Sequence, residues 1–441
     1  MASSNSTSAR ANLAPGVRPV EVFSWAMYDF ANSGYTTVVI TAVFNAYFVA
    51  VVAGNAPWAT FAWTAALAIS YALIVVTAPV IGAYADVHAA KKRLLLVTTA
   101  GCVVFTAGLA LVGEGQLALG VALVILSNFF FGSGENLIAA FLPELARGEA
   151  MGKVSGWGWS LGYLGGLVAL GACLVYVTHA QAQGATAAEF VPVTMLITAA
   201  IFAIASLPTF LFLRERAQPA IGAADIMRSS FERLAHTVRH ARRHVDLWRF
   251  LVCVVFYQAG IQTVVALAAV YAQEVMAFTT RDTLFLILVV NVTAAAGAFA
   301  FGHVQDRIGH VKTLALTLIG WLIAVLLAWT AESATMFWIV ANLVGICMGS
   351  SQSAGRALVG YLSPPARTAE FFGLWGLAVK LSAILGPMTY GVVTWVTLGN
   401  HRFAMLVTGI FFVIGMAILA GLDIARGRRA ALEDDPQPVG S

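Results

Sequence analysis

The sequence predicts an all-α polytopic membrane protein: twelve transmembrane helices in two six-helix pseudo-symmetric halves. Three observations carry that prediction. Of its 441 residues, 60% are hydrophobic and only 10% charged, with a mean hydropathy of +0.83, whereas soluble domains average about 25% charged residues. Crossing a bilayer takes about 20 mostly apolar residues, and runs of that kind fall near 23–53, 60–85, 94–112, 117–142, 153–177, 192–213, 249–276, 283–304, 313–330, 335–357, 370–396 and 402–424. The basic residues then sort by side. With the N-terminus in the cytoplasm, every lysine and arginine except Arg281, Arg402 and Lys380 falls on the cytoplasmic side, in a tail, a loop or a segment's cytoplasmic end, the side where basic residues accumulate. A wrong helix count would have mixed the two sides.

Each element follows from local composition. Residues 1–22 are rich in Ser, Asn and Thr with Pro15 and Pro19, so they read as a disordered cytoplasmic tail, and no cleavable signal peptide is expected. Residues 23–213 form the N-terminal six-helix bundle and 249–424 the C-terminal one. Between them, 214–248 carries the stretch IMRSSFERLAHTVRHARRH, whose helical spacing and basic face predict an amphipathic helix on the cytoplasmic membrane surface. Residues 425–441 form a second cytoplasmic tail. The net charge of +4 suits loops facing anionic lipid and calls for no nucleic-acid partner. Cys102, Cys173, Cys253 and Cys347 lie in apolar segments without metal-ligand or redox spacing and read as buried core residues. No cofactor or metal is expected.

The chain repeats itself. GAYADVHAAKKR follows the second segment, with Gly82 and Asp86, and GHVQDRIGHVKT follows the eighth, with Gly302 and Asp306, an offset of 220 residues. The same offset carries Gly166 onto Gly386, and one of 221 carries Pro143 onto Pro364. The second copy resembles the loop signature of the major facilitator superfamily of twelve-helix secondary transporters. The first departs from it, with Ala89 in place of the second glycine. WAMYDFANSGYTTVVITAVF (25–44), AAFLPEL (139–145), GYLGG (162–166), SQSAGRAL (351–358) and EFFGLWGLAVKLSAILGP (370–387) are similar to the vacuole-effluxer-like family within that superfamily. The resemblance spans nearly the whole chain. It implies a secondary active transporter working by alternating access, with amino acids suggested as substrate by the yeast effluxer that names the family.

Polar groups at membrane depth are the candidate transport residues, because a charge there costs at least about 2.5–3.5 kcal/mol and normally faces a bundle interior or a water-filled cavity. Residues three and four apart share a helix face, so Trp25, Tyr28 or Asp29, Asn32 and Thr36 form a stripe on segment 1. Asp29 either lines the pathway or accepts bonds from a neighbouring helix. Asn45, further along, reads as a contact between helices. On segment 4, Glu135 with Asn136 beside it suits proton coupling, since burial raises a carboxyl pKa; the alternative is a salt bridge that only joins helices. Glu144 and Glu149 read as interfacial partners of Arg147 or Lys153. Lys380 lies about 15 Å into segment 11, near mid-bilayer. It either binds an anionic group of the substrate, forms a switchable pair with Glu135 or Asp29, or is a permanently paired structural lysine. Gln258, Gln262, Asn291 and Gln352 complete the set, each also able to act as glue between helices, and Trp157, Trp159 and Trp375 could wall a pocket.

The resemblance further puts Asp86, Arg93, Asp306, Arg307 and Arg356 at a cytoplasmic gate, the loop aspartates facing helix N-termini. The expected partners are a small-molecule solute, a proton as coupling ion and membrane lipid, with a monomer sufficient and the cell membrane as location. Two alternatives stand beside this. A drug or hydrophobic-compound exporter of the same fold would favour an aromatic, carboxylate-poor pocket. A membrane enzyme would need clustered catalytic carboxylates or histidines, yet His236, His240 and His244 lie on a basic surface stretch without a carboxylate base, so no enzyme activity is expected; a receptor would need a signalling domain the sequence lacks.

Overall fold

The computed structural model describes residues 13–145, 151–216, 244–363 and 368–433, together with 239 and 242. Twelve of its helices are long and apolar enough to cross a membrane. In chain order they are α1 (Pro19–Val52), α2 (Ala59–His88), α3 (Lys91–Gly108), α4 (Leu117–Ala139), α5 (Met151–Ala182), α6 (Ala187–Phe212), α7 (Val245–Met276), α8 (Thr280–Ile308), α9 (His310–Thr330), α10 (Ala334–Leu362), α11 (Thr368–Val396) and α12 (His401–Ala420). A short helix, α13 (Ile424–Glu433), follows. The first helix starts at Pro19 and Leu13 is buried ahead of it, so ordered chain reaches into the segment read as tail. Most of the expected amphipathic helix within 214–248 lies outside the described residues.

Local signals set the helix ends. Pro19 occupies the first turn of α1 and the Arg18 backbone N–H donates to Glu21 Oε1 at 3.1 Å. Thr186 N–H donates to Glu189 Oε2 at 2.7 Å in a capping box at α6. Ser333 and Asn400 cap α10 and α12 by accepting from Met336 and Phe403 N–H at 3.2 and 2.9 Å.

α1 is not a uniform α-helix. Thr36–Ala42 and Phe48–Val52 are π-helical, with Val43 N–H reaching Val38 O at 2.9 Å, five residues back. Such wide turns break the regular ladder and recur at functional sites. Asn45 mends the break: its Nδ2 donates to Thr41 O at 3.0 Å and its Oδ1 accepts from Ala46 N–H at 2.7 Å. The amide that the sequence reads as a contact between helices thus bonds its own helix at both ends.

The chain sorts into two compact units, Met1–Gly54 with Leu73–Phe231, and Asn55–Ala72 with Glu232–Ser441. α1 is the hub of the first. It is 78% buried across its apolar window, and α7, its counterpart in the second unit, 72%, against half or less for the other spans. Lipid is as apolar as leucine, so membrane helices associate through close packing and polar bonds. α5 supplies the close packing in the first unit. Gly158, Gly162 and Gly166, one per turn, lie against Asp29, Ser33 and Thr37 of α1, and a Cβ at Gly165 would collide with the Phe30 backbone. α6 adds a bond from Thr209 Oγ1 to Ser24 O at 2.6 Å.

The second unit repeats this arrangement. A Cβ at Gly386 of α11 would run into Ala259 O and Thr263 of α7, which gives the register between Gly166 and Gly386 a common task. Gly345 and Gly349 of α10 lie as closely against the α8 backbone, at Val290 and Ala294. Asn55–Ala72, leading into the first half of α2, belongs to this unit, where Phe61 stacks on Trp395 at 4.8 Å. The loop repeat is visible in the backbone too. Gly309 opens α9 at φ +87°, and Ala89, its equivalent before α3, takes φ +46°. The first copy has alanine in place of glycine and still takes a positive φ, which costs an L-residue roughly 1–2 kcal/mol.

Ala89→Gly therefore raises the melting temperature of the purified protein, by relief of about 1 kcal/mol. Gly309→Ala lowers it, and thermal unfolding in detergent measures both.

Candidate functional site: polar groups within the bundles

In the first unit the expected stripe on α1 is divided among neighbours. Trp25 Nε1 donates to Ile138 O of α4 at 2.8 Å. Tyr28 is buried and its hydroxyl bonds Thr99 Oγ1 of α3 at 2.8 Å, with Phe202 edge-on at 6.0 Å. Asp29, half-buried, presents Oδ2 to Gly158 of α5. Asn32 is 6% exposed, and its Oδ1 has no hydrogen-bond partner among the described residues. A buried amide oxygen left unbonded costs about 1–3 kcal/mol, and Asn32 places one such acceptor within α1. Glu135 of α4 is half-buried and Asn136, next to it, exposed.

In the second unit two of the expected residues meet. Gln258 of α7, fully buried, donates Nε2 to Gln352 Oε1 of α10 at 2.9 Å, and the reverse contact is 3.5 Å. Arg356 lies one turn beyond Gln352 on the same face, its guanidinium 5.7 Å from the Trp375 ring of α11. Lys380 is half-buried in the middle of α11, with its ammonium 5.6 Å from the Tyr71 ring. That separation suits a cation–π contact. Asn291 donates to Ile287 O of its own helix at 2.8 Å and Gln262 is half-buried. Trp157 and Trp159 are each nearly half exposed. Arg93 is exposed, while the side chains of Asp86, Asp306 and Arg307 lie outside the described residues.

The model of the vacuole effluxer Atg22-like family matches residues 47–153 and 149–432. The chain belongs to that family. An uncharacterized MFS-type transporter of Bacillus subtilis, YxiO, is 28% identical over 412 residues, 90% of this chain and 93% of its own. Autophagy-related protein 22 of Candida glabrata is 26% identical over 211 residues, 45% of this chain and 39% of its own length. Among solved structures, a bacterial homologue of the lysosomal transporter Spinster superposes with a TM-score of 0.68 at 13% identity, covering 96% of this chain and all of that one. The D-xylose-proton symporter gives 0.66 at 15%, covering 92% and 99%. The fold is that of the major facilitator transporters, and the Atg22-like chain is a multi-pass membrane transport protein, not an enzyme.

The structure adds charged residues that the sequence did not single out. Glu21, at the start of α1 and 1% exposed, binds Arg216 just after α6 at 2.9 Å. Asp246, at the start of α7 and 2% exposed, binds Arg426 after α12 through two bonds of 2.6 and 2.7 Å. Each unit of the Atg22-like protein therefore clasps the segment leaving its sixth helix onto its first. Bonding to the Asp246 carboxylate raises the Arg426 pKa further. Around the first clasp, Glu215 accepts from the Lys91 and Lys92 backbone N–H groups at 2.8 and 3.1 Å, capping α3. Glu144 binds Lys91 Nζ at 3.1 Å and Arg216 N–H at 2.7 Å, partners other than the Arg147 and Lys153 its sequence position suggests, which lie outside the described side chains. An acid at the head of each half and an arginine after its sixth helix was the available signal.

Removing one member of a buried pair costs more than removing both, because the survivor keeps its charge out of water. Arg426→Gln accordingly melts at a lower temperature than the double variant Asp246→Asn/Arg426→Gln, as a thermal-unfolding series reads directly.

Proposed function

We propose that this chain is a secondary active transporter that moves a small polar solute, with amino acids as the leading class, across the cell membrane by alternating access and proton coupling. Lys380 carries the reading. An ionisable group midway along a transmembrane helix, here a half-buried ammonium beside an aromatic ring, marks a substrate or ion pathway by default. In this reading it binds the substrate's anionic group. Gln258, Gln352 and Arg356 of the same unit then supply amide and guanidinium groups suited to a zwitterion. Glu135 and Asp29 of the first unit serve as the proton-coupling groups, since ionisable residues within transmembrane segments mark ion and proton pathways.

The basic loops support the orientation, with both termini in the cytoplasm. The family description, vacuole effluxer, supports export. A drug exporter of the same fold would carry no comparable need for a midspan lysine.

Uptake into proteoliposomes under an imposed pH gradient tests this. Wild type accumulates at least one amino acid from a panel. Lys380→Met loses transport by at least about tenfold, the factor worth 1.4 kcal/mol, while Glu135→Gln loses gradient-driven accumulation and retains exchange. Movement of lipophilic cations alone, unaffected by Lys380→Met, contradicts the reading.

A further inference from the structure

In the second unit the first half of α2 lies along the second half of α11, and three contacts set the register of the two antiparallel helices. At one end Phe61 stacks on Trp395 at 4.8 Å. In the middle a Cβ on Gly391 would run into Thr64 Oγ1 and come within 3.1 Å of Phe61 Cα. At the other end the Lys380 ammonium lies 5.6 Å from the Tyr71 ring. Positions 61, 64 and 71 follow helical spacing along one face of α2, as 380, 391 and 395 do along α11. The three contacts therefore belong to one seam.

Two of them are neutral. Thr64 is fully buried, its hydroxyl already donating to Phe61 O at 3.0 Å, and membrane helices associate through such close approach. The third is a charge. A cation beside a ring is held by the ring quadrupole, an attraction that a carboxylate with its full opposite charge exceeds at the same range. The ammonium on Tyr71 is thus the contact of the three that an anionic ligand can displace. Its place along α2 matters as well. Tyr71 and Ala72 are the last residues of the helix that pack in this unit, and the helix continues as Leu73–His88 in the first. The charge sits where α2 leaves its packing on α11.

We propose that Tyr71 is the positioning residue for Lys380: its ring holds the ammonium while the α2–α11 seam is closed, and transfer of the ammonium to an anionic ligand loosens the seam. The ligand is a carboxylate of the solute, a step that rests on the reading of Lys380 given above. Binding at mid-helix is thereby converted into freedom of the first half of α2. The sequence does not single out Tyr71, because an aromatic residue at depth reads as packing.

The test pairs Thr64→Cys with Gly391→Cys, whose thiols the seam brings together, and follows disulfide formation in the purified full chain under copper phenanthroline. The native cysteines are buried, and the two single variants serve as controls. Tyr71→Phe, placed on this background, keeps the ring and cross-links at the parent rate. Tyr71→Leu and Lys380→Met each cross-link at least about threefold more slowly, the factor a cation–π contact is worth short of full desolvation. Their losses do not add in the double variant, since both remove the same contact, whereas a merely structural tyrosine would add its own loss to that of the lysine. Thermal unfolding checks that each variant is folded, and Tyr71→Met replaces Tyr71→Leu should the latter not fold. No cross-link in the parent, equal rates in all backgrounds, or additive losses overturn the proposal.

A mixture of the standard amino acids separates this proposal from the reading beneath it. The expected result is slower cross-linking of the parent with the mixture and no such change in Lys380→Met. A Lys380-dependent rise in melting temperature with unchanged cross-linking overturns the proposal and leaves the substrate reading standing. Dependence on Tyr71 and Lys380 with no response to the mixture in either assay supports the hold of Tyr71 on Lys380 and removes the substrate reading.

Discussion

Helices in lipid gain nothing by hiding leucines from each other, so this fold depends on how closely backbones can approach. The contact of α5 with α1 is the clearest case. Gly158, Gly162 and Gly166 meet Asp29, Ser33 and Thr37 turn by turn, and Gly165 leaves no space above Phe30. One constraint therefore does two things. It brings the helices together, and it fixes the depth and direction of Asp29, because a carboxylate pressed toward a glycine has few rotamers left. Gly386 against Ala259 and Thr263 performs the matching task for α11 and α7, and α11 carries Lys380.

The duplication extends from packing to charge. Each six-helix unit has a buried acid at the head of its first helix and an arginine just past its last, joined at hydrogen-bonding distance. These pairs sit at the ends of the units where the chain enters and leaves, and polar atoms there escape the full cost of the bilayer. The groups proposed for transport lie along α1, α4, α7, α10 and α11, and combine the amides of Asn32, Gln258 and Gln352 with the ionisable Asp29, Glu135, Arg356 and Lys380. A membrane tolerates ion pairs at the rim, while each charge retained at depth needs a reason of its own.

Much of this was legible in the sequence. Twelve apolar runs give twelve spans, because length and hydropathy alone decide what can cross a bilayer. The repeat was legible through Gly166 and Gly386 for the same reason that it matters, close approach. What stayed hidden was partner choice. Helical spacing puts Tyr28 and Asp29 near one stripe, yet they diverge to α3 and α5, since adjacent residues lie about 100° apart on a helix of 3.6 residues per turn. Gln258 and Gln352 were both evident as polar residues at depth, but nothing in one chain says that they bond each other. Asn45 bonds its own helix beside a π-helical break, and no residue propensity encodes that break. Ala89 shows the converse: it departs from the loop signature, yet takes a positive φ as Gly309 does.

The claim on which the functional account rests is that Lys380 meets the substrate. Ligand-induced thermal stabilisation of the purified protein, screened over amino acids, dipeptides, sugars, organic acids and lipophilic drugs and repeated with Lys380→Ala, tests it most directly, because binding is read without any assumption about driving ion or direction. The account predicts that a carboxylate-bearing solute stabilises the wild type and leaves the variant unmoved. Equal stabilisation of both proteins by that solute, or a response to lipophilic cations alone, would contradict it.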